Sequence, residues 1–381
     1  MKHIPLVPFT FISLLFLFSC GPKASETDFA VPDNIGLLIF PEKDSIFWVS
    51  VQDDQLLVDQ STFRETTAGF YLSEDASLLF SMERTDGKIN VMDLSRFGKW
   101  LPKAIERPQP THWTGVENHS LIFNDGDGSV VYVKSDPSST EGFSMGTIQL
   151  PGSSAHHGAA LYLNGDAVAM TIKSEGEEGA LPKNVALVEI KSQEILITTE
   201  DLTLGGIHGA HSNGVYALFG SSSGVLWMKE DKSYGLIPNP QPLENSSGNW
   251  IGTIEGAGNT FVGSSRNHGL FKIDPENQQI DLLYSSDQIT DFQISPDGTY
   301  TVLMLKDNQL IVLDNLTLKV LAKSPFPNQP EIPKGFKMAI HDNFLFVAAL
   351  GYNQIQVLNI STLNTLKQLN SEVAISDFKV F

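Results

Sequence analysis

Histidine is the one chemically versatile side chain that this chain distributes unevenly. Seven of its nine histidines fall between residues 112 and 268. Three of them, His112, His157 and His208, succeed one another at intervals of 45 and 51 residues, and two are followed by glycine, as His157-Gly158 and His208-Gly209. Neutral imidazoles suit borderline-soft divalent metals such as zinc, and copper binds nitrogen sites of this kind more tightly still. Three imidazoles gathered at one point would form a metal site. A carboxylate, a water molecule or His268 would complete the coordination. Asp125, Asp127 and the acidic segment 173–183, with Glu175, Glu177 and Glu178, are candidates for a lip that concentrates cations or lends a ligand.

The remaining histidines read differently. His156 points away from its neighbour His157 and is expected to hold a loop by hydrogen bonds. His211, three residues beyond His208, is expected on the other side of its strand, either packed or backing the site. His119 and His341 are expected at the surface of the opposite face. The run Asn124-Asp125-Gly126-Asp127-Gly128 faintly resembles a calcium loop, but it lacks the distal glutamate and reads more simply as a hairpin turn. There is no Walker A loop and no HExxH motif, and no catalytic residue is assigned.

Only a repeat could bring such distant histidines together, and the chain has one. Short alternating apolar runs flanked by Gly, Asn, Asp or Gln recur as DQLLVDQ (54–60), GKINVMD (87–93), GSVVYVK (128–134), NVALVEI (184–190), GVLWMKE (224–230), GLFKIDP (269–275), NQLIVLD (308–314) and NQIQVLN (353–359). A period of about 44 residues with several strands per unit is the signature of propeller blades. A second strand type precedes most copies, as in PTHWTGV (110–116), AHHGAAL (155–161), GIHGAHS (206–212) and ITDFQIS (289–295), and reads as the innermost strand. The last residues, ISDFKVF (375–381), nearly copy ITDFQIS and have nothing after them. Pairing this C-terminal strand with the N-terminal segment closes a ring and protects its edges. The expected fold is an all-β, eight-bladed β-propeller, with seven blades as the alternative. His112, His157 and His208 then start the inner strands of three consecutive blades and face one mouth of the channel.

The N-terminus sets the compartment. Lys2, the apolar run Ile4 to Phe18 and Leu17-Phe18-Ser19-Cys20 resemble the lipobox of bacterial lipoproteins. The apolar run is too short to span a bilayer, which takes about 20 residues. The expected division is a signal peptide over 1–19, a lipidated Cys20 with a flexible tether over 20–35, and the propeller over 36–381. That places the protein in the cell envelope, periplasmic or outer-membrane facing, touching membrane through its lipid alone. Cys20 is the only cysteine, so no intramolecular disulfide forms. With 44 acidic against 25 basic residues and a net charge of −19, the surface is unsuited to nucleic acid, whose phosphates need cationic partners.

Several pieces in order resemble the AztD-type periplasmic zinc metallochaperones, which are β-propellers serving zinc ABC importers. They are Thr111-His112-Trp113, Phe123 to Gly128, Ala155-His156-His157-Gly158, Gly206-Ile207-His208-Gly209, Phe219-Gly220 and Gly269-Leu270. The resemblance implies zinc binding and handover to the importer's solute-binding protein. The chain departs from that family where Ala210 and His211 follow His-Gly in place of an acidic residue, and where Leu204 and Ser221 stand near positions of a cysteine pair. Two other functions fit a propeller: a metal-free scaffold for envelope proteins, and a hydrolase or lactonase.

Overall fold

The computed structural model describes residues 35–41, 44–63, 68–97, 99–136, 138–139, 142–243, 249–326 and 335–381. The expected signal peptide, Cys20 and the tether up to residue 34 lie outside the described residues. Among the described residues, seven antiparallel four-stranded units follow one another along the chain, over 69–106, 110–148, 160–198, 207–238, 253–285, 289–325 and 336–371, six as separate sheets and the last as half of an eight-stranded sheet. These are blades 2 to 8. Blade 1 draws on both ends of the chain. Its inner strand is Ile375–Val380, and Leu37–Pro41, Ser45–Gln52 and Gln55–Phe63 follow outward. The protein is an eight-bladed β-propeller.

The closure is specific. Leu37 pairs with Val380 and Ile39 with Phe378, and Gly36 and Phe381 exchange two backbone hydrogen bonds of 2.8 and 2.9 Å. Gln55 and Leu56 also run parallel beside Asn370 and Ser371, so blades 1 and 8 touch at their outer edges.

A blade between two neighbours has no solvent face. Its second strands are therefore buried on both sides, and LLFSME, HSLIFN and FLFVAA are buried at every position. The buried apolar side chains fall into eight clusters, each filling the space between one pair of adjacent blades. The cluster between blades 8 and 1 joins Phe346 and Val357 to Leu37 and Phe378.

One repeat copy is placed differently from expectation. DQLLVDQ is part of the outer strand of blade 1, largely exposed, and SIFWVSVQ takes the third position. The physical reason is the closure itself. Because the inner strand arrives from the C-terminus, every N-terminal strand moves one place outward. The count of eight is unaffected.

Phe378 is fully buried where the two ends of the chain meet. Phe378→Ala is expected to cost about 3–5 kcal/mol in chemical denaturation, whereas Leu316→Ala, at a residue 86% exposed, should stay within about 0.5 kcal/mol of the parent. Equal midpoints for the two variants would show that closure does not hold the ring.

Candidate metal centre

The inner strands all begin on one face of the ring, and the three histidines sit where those beginnings are irregular. A register shift between Pro110 and His112 re-aims the start of the blade 3 strand Pro110–Val116. In blade 4 the inner strand is only Ala160–Leu163, so His157 lies in the segment leading into it. In blade 5 a bulge between Ile207 and Ala210 brackets His208. Each glycine after histidine has a steric cause. A Cβ on Gly158 would lie 2.2 Å from Thr171 Oγ1, and one on Gly209, where φ is +86°, would lie 2.4 Å from the Gly252 carbonyl oxygen. Bonds between blades fix the spacing of the strands, with Thr114 Oγ1 donating to Ala160 O (2.7 Å) and Ser212 Oγ to Tyr162 O (2.6 Å).

The result is a triangle of imidazoles. Ring centroids are 4.6 Å apart for His112 and His157, 5.3 Å for His157 and His208, and 6.3 Å for His112 and His208. They line a pocket of about 190 Å³ together with Trp113, Thr171 and Ile254. Nε2 of His112 and Nε2 of His157 are 3.1 Å apart. Two nitrogens bound to one tetrahedral zinc at 2.0–2.1 Å lie about 3.3 Å apart, so this pair matches one edge of such a site.

The outer nitrogens prepare the inner ones. His157 Nδ1 donates to Asp125 Oδ2 at 2.8 Å, and His208 Nδ1 donates to Gly252 O at 2.8 Å. A carboxylate and a carbonyl only accept, so both imidazoles carry their proton on Nδ1 and present a lone pair at Nε2. Arg84 Nη1 reaches the same Asp125 oxygen at 3.0 Å. Burial would raise the Asp125 carboxyl, but the bond from His157 and its charge, the Thr111 hydroxyl and, least of these, the charge of Arg84 hold it below the usual carboxylate range. Burial, joined by the neighbouring His157, lowers His112 to about 4. His112 is therefore neutral at pH 7. Among the described residues no group of three or more His, Cys, Asp or Glu side chains is arranged to hold a metal ion as it stands. The trio is gathered, and His208, the exposed member, has the farthest to turn.

The other candidates separate from the trio. His268 sits in the turn after Thr260–Ser265 and does not line the pocket. His156 is structural, with Nδ1 2.7 Å from Ser154 O and Nε2 3.1 Å from Thr171 Oγ1, against the Phe123 ring. His211 faces a separate channel cavity with Glu74 and Glu255, and burial lowers it to about 4. Asp127 closes the hairpin turn by accepting from Ser129 N, and only Asp125 of that turn faces inward. Glu175 and Glu178 are exposed, and Glu177 accepts from Ser174 N. None of the three lines the pocket, although Pro182 of their segment accepts from Ile207 N, one residue before His208. His341 is half-buried at the far end of the blade 8 inner strand, 3.7 Å from Asp342.

His119 corrects an expectation. It is buried, not surface, and stacks on Tyr162 at 3.8 Å. It begins a second strand, and second strands face the neighbouring blade. Arg84 and the Gly252 carbonyl belong to the site but carry no repeat signal that would expose them in sequence. Gly220-Ser221-Ser222-Ser223-Gly224 has the G-x-S-x-G spacing of a nucleophile elbow, yet it is a hairpin turn between two strands of blade 5. The strand-to-helix context that such a nucleophile needs is missing there.

No family model and no curated protein matches the chain. Solved structures do. Apo AztD from Citrobacter koseri superposes with a TM-score of 0.72 at 16% identity, covering 91% of this chain and 98% of that one. A second AztD structure from the same organism gives 0.73, also at 16% identity, covering 91% and 97%. The dihydro-heme d1 dehydrogenase NirN, in complex with DHE, gives 0.62 at 12% identity, covering 92% and 75%. Likeness at these identities establishes a shared fold and leaves the chemistry to the residues.

The folded protein resists protonating His112 until about pH 4, whereas the unfolded chain takes up that proton near 6.5. This group therefore opposes folding increasingly as pH falls from 6.5 towards 4. In chelator, His112→Gln should lose less stability than the parent between pH 7 and 4.5. Parallel stability curves would contradict the burial of a neutral His112.

Proposed function

We propose that the protein is a zinc-binding carrier of the cell envelope, a metallochaperone that passes zinc to the solute-binding protein of an ABC importer. The reading is carried by one observation: His112, His157 and His208, from three successive blades, meet in one pocket with two of their Nε2 lone pairs already oriented. The resemblance of segments between 108 and 275 to the AztD-type metallochaperones supports the choice of metal, and the acidic surface supports a cationic cargo. Copper fits the same donors and competes with zinc on affinity.

Zinc is cargo in this reading. His112, His157 and His208 hold it through Nε2, and a water molecule or a partner's side chain takes the fourth position. Asp125 keeps His157 in its ligating tautomer, as carboxylates commonly do behind metal-bound histidine. With no thiolate ligand and an exposed His208, the metal stays exchangeable. Lipidation at Cys20 would tether the carrier to a membrane. No helix among the described residues is long and apolar enough to cross one.

A metal-free scaffold is the second reading. It is favoured by the 3.1 Å contact between His112 and His157, which is already a hydrogen-bond distance.

Zinc affinity measured by chelator competition separates the two. His157→Ala should weaken binding roughly tenfold or more, and Asp125→Asn by about tenfold, since partners behind a ligand typically contribute 10–100-fold. The parent's affinity should also fall as the pH drops, because a protonated imidazole cannot ligate. Unchanged isotherms in both variants would defeat the metal site and leave the scaffold.

A further inference from the structure

We infer that Arg84 detunes the histidine centre, holding a positive charge against the carboxylate behind His157 so that bound metal stays releasable. The inference rests on the metal-binding reading above and deepens it. Arg84 lies in the turn after the second strand of blade 2, Leu78–Glu83, on the face where the inner strands begin. Its Nη1 is 3.0 Å from Asp125 Oδ2, the oxygen that also accepts from His157 Nδ1 at 2.8 Å. The other Asp125 oxygen is buried with no hydrogen-bond partner. Two donors from two blades thus share one oxygen.

The two partners of Asp125 differ in kind. The His157 side chain is 35% exposed and carries charge only when protonated, whereas Arg84 is 49% exposed and always charged, and the carboxylate between them is 6% exposed. The position of Asp125 does not depend on Arg84, because its hairpin turn is held by Asp125 N to Gln109 O (3.0 Å) and Gly126 N to Pro108 O (3.1 Å). Arg84 therefore acts through charge. Without it, Asp125 would lend its full negative charge to His157 and strengthen that ligand. With it, much of that charge is neutralised.

The guanidinium also repels the cargo directly. Through the carboxylate and the imidazole it stands roughly 9 Å from a metal on His157 Nε2, and partly screened repulsion between +1 and +2 charges at that range weakens affinity about five- to tenfold. A carrier must let go of what it carries, and a half-exposed cation beside the pocket keeps release fast without removing a ligand.

The test uses the full protein with zinc, chelator competition for affinity and stopped-flow transfer to a chelator for release. Arg84→Gln should bind zinc about five- to tenfold more tightly and release it correspondingly more slowly. Arg84→Lys, which keeps the charge, should behave like the parent. Unchanged or weaker binding in Arg84→Gln would overturn the inference, as would Arg84→Lys behaving like Arg84→Gln. If the parent binds zinc and His157→Ala does not, such a result overturns the role of Arg84 alone. A parent that binds no zinc overturns the metal reading and this inference with it.

Discussion

A four-stranded blade has two apolar faces and can bury both only between two other blades. That constraint organises the molecule. It is satisfied eight times, once per cluster of buried side chains, and the last instance requires the two ends of the chain to share a sheet. With no disulfide available, side-chain burial between blades is the main source of stability. Closure also fixes the angular position of every inner strand, and therefore the point at which distant residues can meet.

The site exploits the places where this regular order relaxes. His112, His157 and His208 stand at a register shift, a strand approach and a bulge, where the ladder no longer dictates side-chain direction. Behind them the structure is tight. Gly158 and Gly209 leave no room for a side chain, and His156 fastens the blade 4 approach through both ring nitrogens. Local irregularity aims the imidazoles, and the dense shell keeps them aimed. Asp125 belongs to both levels, as a turn residue by backbone and a partner of His157 by side chain. That arrangement follows the general logic by which a buried carboxylate orients a histidine and raises its basicity.

Much of this was legible in the residues. Seven similar strand cores and a C-terminal copy of an inner strand announce a closed ring, because each of the seven repeats the same burial problem, whereas the eighth run, DQLLVDQ, belongs to the exposed outer strand of blade 1. The meeting of His112, His157 and His208 followed from their equivalent places in that repeat. What the repeat does not encode was not legible. Arg84 reaches Asp125 from another blade through a turn, and the Gly252 carbonyl that orients His208 is backbone. His119 follows an inner strand at its far end, which reads as surface of the opposite face, whereas its ring lies between blades against Tyr162. His268 shares the face with the trio but sits too far out along the blade, a radial distance that linear spacing does not carry. The acidic loop likewise reaches the neighbourhood of His208 only by the backbone of Pro182, and its glutamates do not line the pocket.

The central claim is a position in space: one metal ion among three imidazoles. Anomalous diffraction at the zinc edge, from crystals of the zinc-loaded protein, tests it most directly. The account predicts a single strong peak about 2.1 Å from Nε2 of His112, His157 and His208, with His208 turned inward. A peak elsewhere on the chain, or an untouched pair of His112 and His157 at saturating zinc, would contradict it.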